Sequence, residues 1–244
     1  MKFGICKLCL EDKELIHSHV FSEFLYEPTY DEAHKYISVS SHPYHKAKPF
    51  QVGMREYLLC QKCDGQIGTY EGYAAGILRQ TDKYRTRDGR AIVIPDFDYS
   101  SFKLFGLSLI WRSHITSIHM FGEVNLGPHA ERIRKMLHSA DPGEPSRYCF
   151  TLIKIEGAES ANTVIHAPAR TRFRGHNAYI FMAYGFDWLF VTSSHSSSLP
   201  KDYPFVGMKP ELVILTKTMS EKEFIKEMRR RMGSELIEKS KRAT

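Results

Sequence analysis

The chain of 244 residues sets 34 Lys and Arg against 28 Asp and Glu, a formal charge of +6, with an isoelectric point of about 9.0. Its 42% hydrophobic and 12% aromatic content is enough to build a sizeable core, which excludes global disorder. The mild positive balance favours polyanions such as nucleic acid without supplying a dense basic patch, and no apolar run reaches the roughly 18 residues a membrane helix needs.

Met1-Lys2-Phe3-Gly4 leads straight into Cys6-Lys7-Leu8-Cys9 with no leader-like pattern. The expected compartment is cytoplasmic and reducing, where paired cysteines read as metal ligands ahead of disulfides. Leu15 to Phe21 is a short apolar run carrying His17 and His19, and Ile16, Val20 and Phe21 suit a strand. Tyr36 to Ser40 alternates as a second strand, and the stretch after it holds His45, Lys46 and Lys48. Tyr57-Leu58-Leu59 opens onto Cys60-Gln61-Lys62-Cys63. Two such pairs supply four thiolates, the set that closes a tetrahedral structural Zn²⁺ site. From Asp64 to Gln80, Ile67, Tyr70, Ala74, Ile77 and Leu78 mark one face of a helix that its glycines weaken.

Thr81 to Arg90 is polar, and a soft boundary here divides a zinc-binding module, residues 1–85, from a second domain, residues 86–244. Ala91 to Ile94 reads as a strand. Phe102 to Met120 is apolar on nearly every side and predicts a buried helix, with Ser100-Ser101 as its cap. Pro128 starts another helix with Ala130, Ile133 and Leu137 on one stripe. The period then changes, and Tyr148–Ile155, Ala178–Tyr184, Phe186–Thr192 and Leu212–Leu215 predict strands, with a turn at Tyr184-Gly185. Arg170, Arg172 and Arg174 alternate, so a strand there makes them a basic ridge able to meet phosphates. A last helix from Glu221 carries Phe224, Met228, Met232 and Leu236 on one face. The expected class is α+β, with a mainly antiparallel sheet in the second domain.

Residues 4–80 resemble the HNH, or ββα-metal, nucleases that carry a zinc-binding treble clef. Ser18-His19 stands ten residues after Cys9, near the place of that family's Asp-His pair. Leu58-Leu59-Cys60-Gln61-Lys62-Cys63-Asp64 is similar to its apolar-Leu-Cys-x-x-Cys-His step. Ser18 stands for the metal-binding Asp, Asp64 for the last His, and Arg55 for the Asn. The resemblance implies a metal-dependent endonuclease acting on DNA or RNA, of the sort found in mobile elements or antiviral defence.

His19 is then the general base, Asp64 an oxygen ligand for Mg²⁺ or Mn²⁺, and His17 and Glu71 further candidates. His45, Lys46, Lys48, Arg55 and the three ridge arginines are candidate nucleic-acid contacts. The alternative is a non-catalytic module that binds nucleic acid or a protein through the same zinc scaffold. A homodimer or protein partner through the second domain completes the expectation.

Overall fold

The structure, a computed structural model, describes residues 1–38, 48–193, 199–200 and 202–231. His45, Lys46, Met232 and Leu236 lie outside the described residues. Strands β1 (Lys2–Ile5), β2 (Asp12–His19) and β5 (Arg55–Cys60) form an antiparallel sheet in the order β1-β2-β5. Between β2 and β5 the chain makes a helical turn, Glu23–Thr29, and a small hairpin of β3 (Tyr36–Ser38) and β4 (Lys48–Phe50). The pairing sets Leu15 opposite Cys60 at one end of β2 and His19 opposite Arg55 at the other, with a bulge between Ile16 and His17.

Helix α1 (Gln61–Leu78) follows β5 directly. It survives Gly65, Gly68, Gly72 and Gly76 because Ile67, Tyr70, Ala74 and Leu78 are buried. Tertiary packing thus outweighs the roughly 1 kcal/mol per glycine of lost propensity. Helix α2 (Tyr99–Ile115) is buried nearly all round, as its composition predicts, but its cap is Asp98, whose side chain accepts from Ser101 N at 3.2 Å. Helix α3 (His129–His138) buries Ile133 and Leu137.

The large sheet has the order β6-β11-β7-β10-β9-β8, from β6 (Ala91–Ile94), β7 (Phe150–Glu156), β8 (His166–Phe173), β9 (His176–Ala183), β10 (Phe186–Val191) and β11 (Leu212–Thr218). It is mixed rather than purely antiparallel, because β11 enters parallel to β7. Strand alternation sorts its two faces. Phe150, Phe181 and Trp188 meet Phe102 and Phe105 of α2; the Phe181 and Trp188 rings stack at 5.6 Å and Phe102 lies 6.5 Å from Trp188. Gly106 allows this contact, since a Cβ there would sit 2.3 Å from Phe150 Cζ. On the opposite face Ile155 and Met182 pack against Phe224 and Met228 of α4 (Glu221–Arg231).

The β9–β10 connection places Tyr184 and Gly185 at φ 59° and 75°, the primed turn expected of a two-residue hairpin. The β8–β9 turn is of the same kind, at Arg174 and Gly175 with φ 49° and 85°. Arg174 therefore leaves the strand, and the expected ridge of three arginines reduces to Arg170 and Arg172.

The N-terminal elements share their core with this body. Phe21 lies 5.3 Å from both Phe121 and Phe181, and Phe24 lies 5.7 Å from Phe105. One continuous buried cluster runs from Cys6 to Ile214.

Candidate metal centre and active site

The β1–β2 knuckle brings Cys6 and Cys9 to the start of α1, where Cys60 and Cys63 stand. The four Sγ atoms lie within 4.8 Å of one another. Cys6, Cys60 and Cys63 are buried, and Cys6 Sγ accepts from Cys60 N at 3.3 Å. Burial pushes the Cys6 thiol up, but backbone N–H donors from Cys9, Cys60 and Leu8 outweigh it and bring the group down to about 7. Burial and the neighbouring sulfurs push Cys63 up instead. Four convergent thiols with a backbone donor already aimed at one sulfur fit a thiophilic cation such as zinc. Among the described residues no other group of three or more His, Cys, Asp or Glu converges in this way.

At the far end of β2, His19 Nε2 is 2.7 Å from Glu23 Oε2 and accepts from Arg55 Nε at 2.7 Å. Glu23 is fixed in turn: its carboxylate accepts from Tyr30 Oη and, at 2.9 Å, from Gly53 N. Burial raises the Glu23 carboxyl, yet Tyr30, Gly53 and His19 together hold it below the usual range. Burial, then the Arg55 charge, lowers His19 below its ordinary value despite Glu23. The imidazole is thus a neutral base at neutral pH, held between an anion that favours a proton on Nε2 and a cation that favours its lone pair. All three side chains reach solvent in part, with 20%, 34% and 32% of the side chains of His19, Glu23 and Arg55 exposed.

Behind them sits a buried support. Arg112 of α2 is 1% exposed. It donates to His19 O at 2.8 Å, to Glu71 Oε1 at 2.6 Å and to Ser108 O at 3.3 Å. Ser22 Oγ donates to the same Glu71 oxygen at 2.6 Å. Glu71 is therefore the α1 carboxylate that reaches the His19 end, as a positioning group. Asp64 stays in the first turn of α1 beside Cys63, about 10 Å of helix rise from Glu71. This corrects the expectation that Asp64 faces His19.

His17 shares the His19 face but is exposed, its ring tilted at 35° against Tyr57 at 4.5 Å, and Lys2 Nζ sits over that tyrosine at 4.8 Å. Ser18, on the other face, is 1% exposed, and its hydroxyl has no partner. The donors for Mg²⁺ or Mn²⁺ come down to His19 and Glu23, with the Arg55 guanidinium against both. That set does not fit a hard dication, which seeks several oxygen ligands.

Among the candidate nucleic-acid contacts, Lys48 opens β4. Arg170 Nε donates to Glu123 O at 2.9 Å. Arg172, on edge strand β8, lines a polar cleft of about 450 Å³ with His129, Arg132 and His176.

Glu23, Arg112, Ser22 and Tyr30 escaped sequence reasoning. Arg112 carried a signal: a guanidinium in an otherwise apolar, fully buried helix requires a counter-ion. No helix among the described residues is long and apolar enough to cross a membrane. No protein-family model matches this chain, and no curated protein or solved structure matches it.

Proposed function

We propose that the N-terminal module is a zinc-stapled, HNH-like treble clef that cleaves phosphodiester bonds in DNA or RNA, with His19 as general base. The carrying observation is the placement of a neutral imidazole, a carboxylate and a guanidinium at one partly open point. Zn²⁺ on Cys6, Cys9, Cys60 and Cys63 is structural and ties the knuckle to the root of α1.

In the free chain Arg55 occupies the Nε2 lone pair. An incoming phosphate draws the guanidinium onto its oxygens, where it neutralises charge. The freed Nε2 then takes the proton of the attacking water as its oxygen bonds to phosphorus; the P–O ester bond opposite breaks, the leaving alkoxide takes a proton from solvent, and Glu23 stabilises the imidazolium until it releases its own proton to solvent. Glu71 and Arg112 hold the His19 backbone through this exchange.

A second reading has its own support. Because Nε2 is already engaged by two partners and Ser18 replaces the family's Asp, the same module suits a non-catalytic nucleic-acid or protein docking role. Plasmid, single-stranded DNA and RNA, incubated with the zinc-loaded chain without further divalent metal and separately with Mg²⁺ or Mn²⁺, separate the two. Cleavage lost in His19→Ala and Arg55→Ala supports the enzyme. Cleavage that survives His19→Ala removes His19 from the mechanism, and binding without any cleavage selects the docking role.

A further inference from the structure

Two clefts of about 450 and 400 Å³ share His129, Asn177 and Thr192 and run together as one groove. One wall is the start of α3 with the chain before it, and the other is the β8–β9 hairpin. Arg132 lines the first wall, and Arg170 and Arg172 line the second. Among the described residues no Asp or Glu lines either cleft.

The three arginines are exposed, and two of them are held by backbone carbonyls. Arg170 Nε donates to Glu123 O at 2.9 Å, and Arg172 Nη1 donates to Gly175 O at 3.1 Å. A carbonyl fixes a guanidinium without cancelling its charge, and each anchor spends one of its five N–H donors. Arg170 and Arg172 stand two residues apart on β8, opposite Tyr179 and Asn177, so about 6.8 Å separates them along the strand. That step is comparable to the spacing of successive phosphates on an extended nucleic-acid backbone. The groove offers little to read a base with. The phenol of Tyr179 is buried, and its hydroxyl is taken up by Asn125, donating to Asn125 O and accepting from Asn125 N at 2.9 Å each.

One loop joins the groove to the His19 end. Glu56, the neighbour of Arg55, accepts from Ser117 N at 2.8 Å and from Ser117 Oγ at 2.7 Å. The chain then runs on to Asn125 in the groove lining.

We infer that this groove grips the phosphate backbone of a single nucleic-acid strand through Arg132, Arg170 and Arg172. Guanidinium forks match phosphate oxygens in pairs, and walls without carboxylates leave the attraction uncancelled. The inference rests on the reading of this chain as one that handles nucleic acid, but not on cleavage.

The test measures binding of a short, labelled, mixed-sequence single strand to the zinc-loaded His19→Ala chain by fluorescence anisotropy across a salt series. For single strands, log affinity falls against log salt with a slope of about 0.7 per neutralised phosphate. Arg170→Gln should flatten that slope by about 0.7, and Arg132→Gln, Arg170→Gln and Arg172→Gln together by about 2. Lys at the three positions should keep the slope, because the charge stays, while weakening binding through loss of the forks. The same charge removed at the exposed Arg87, Lys226 and Arg229, outside the groove, should leave the slope in place.

An unchanged slope in the triple Gln variant overturns the inference, as does equal flattening in the remote variant. Inorganic phosphate displacing the strand at equal phosphate concentration, or poly-glutamate binding as tightly as the strand, overturns it in favour of a small phosphate or of any polyanion. A slope that fails while cleavage by the parent chain depends on His19 removes the groove and leaves the catalytic reading. A slope that holds in a chain that cuts nothing supports the groove and removes that reading.

Discussion

Replacing Glu71 by Ala tests the support behind His19 most directly. Arg112 is almost wholly enclosed, and Glu71 is the carboxylate that pairs with it, at 2.6 Å. Removing one member of a buried pair leaves the other charge uncompensated, typically at about 3–5 kcal/mol. The Glu71 side chain is 21% exposed, so water partly screens the vacancy, and the lower end, about 3 kcal/mol, applies. Arg112→Met removes the charge together with its hydrogen bond to His19 O. In the double variant neither charge is stranded, so its cost should fall short of the summed single costs by about 1.5–3 kcal/mol.

Urea unfolding at neutral pH, followed by fluorescence of Trp111 and Trp188, reads all three. An Ala variant losing less than about 1 kcal/mol would place the pair among ordinary surface bridges. The view that it positions His19 would then be wrong.

Other consequences follow from the same geometry. The purified chain should carry one zinc, and Cys60→Ser with Cys63→Ser should lose both the metal and the cooperative unfolding of the N-terminal module; metal analysis beside circular dichroism checks this. The folded-state proton affinity of His19 lies below its unfolded value. As pH drops below about 6.5 the unfolded chain takes up the proton first, so stability declines from there to the folded pKa and then levels off. His166 adds a slope of the same sign, so His19→Gln should shrink, without abolishing, the decline of urea midpoints just below pH 6.5.

Gly106→Ala gains about 1 kcal/mol of helix propensity. It drives a Cβ into Phe150, so a net loss of about 1–2 kcal/mol should appear in thermal melts. Asp187→Ala removes the carboxylate that pairs with the buried Arg231 at 2.6 Å and leaves it Glu227, at 2.9 Å, as counter-ion. The α4 amides should then exchange faster with solvent.

Local chemistry made part of this legible from sequence. Two CxxC pairs announce their use by spacing alone. The helices at α1, α2 and α3 and the Tyr184-Gly185 hairpin follow from periodicity and turn residues within a short window. What stayed hidden depends on partners far away in the chain. Strand β8 carries Pro168 and two outward arginines, a composition that an edge strand tolerates but that does not announce one. Glu23 joins His19 through a turn with no periodic signature, and Arg112 reaches it from 93 positions further on. Asp64 looked the better candidate by alignment to the family step. The direction of α1, from the cysteines toward His19, puts seven residues of helix between that expectation and Glu71.

The order of the large sheet also bears on how the chain is made. Among the described strands β6 pairs with β11, and Leu212 pairs with Ile94 after about 120 intervening residues, some 6–24 s at ribosomal speeds of about 5–20 residues per second. Through that interval the aliphatic side of Ile92 and Ile94 waits without its mate, while both cysteine pairs have long since emerged. The nascent polypeptide therefore has an early-maturing head and a late-closing clasp, and a chaperone that shields this segment would act in that window.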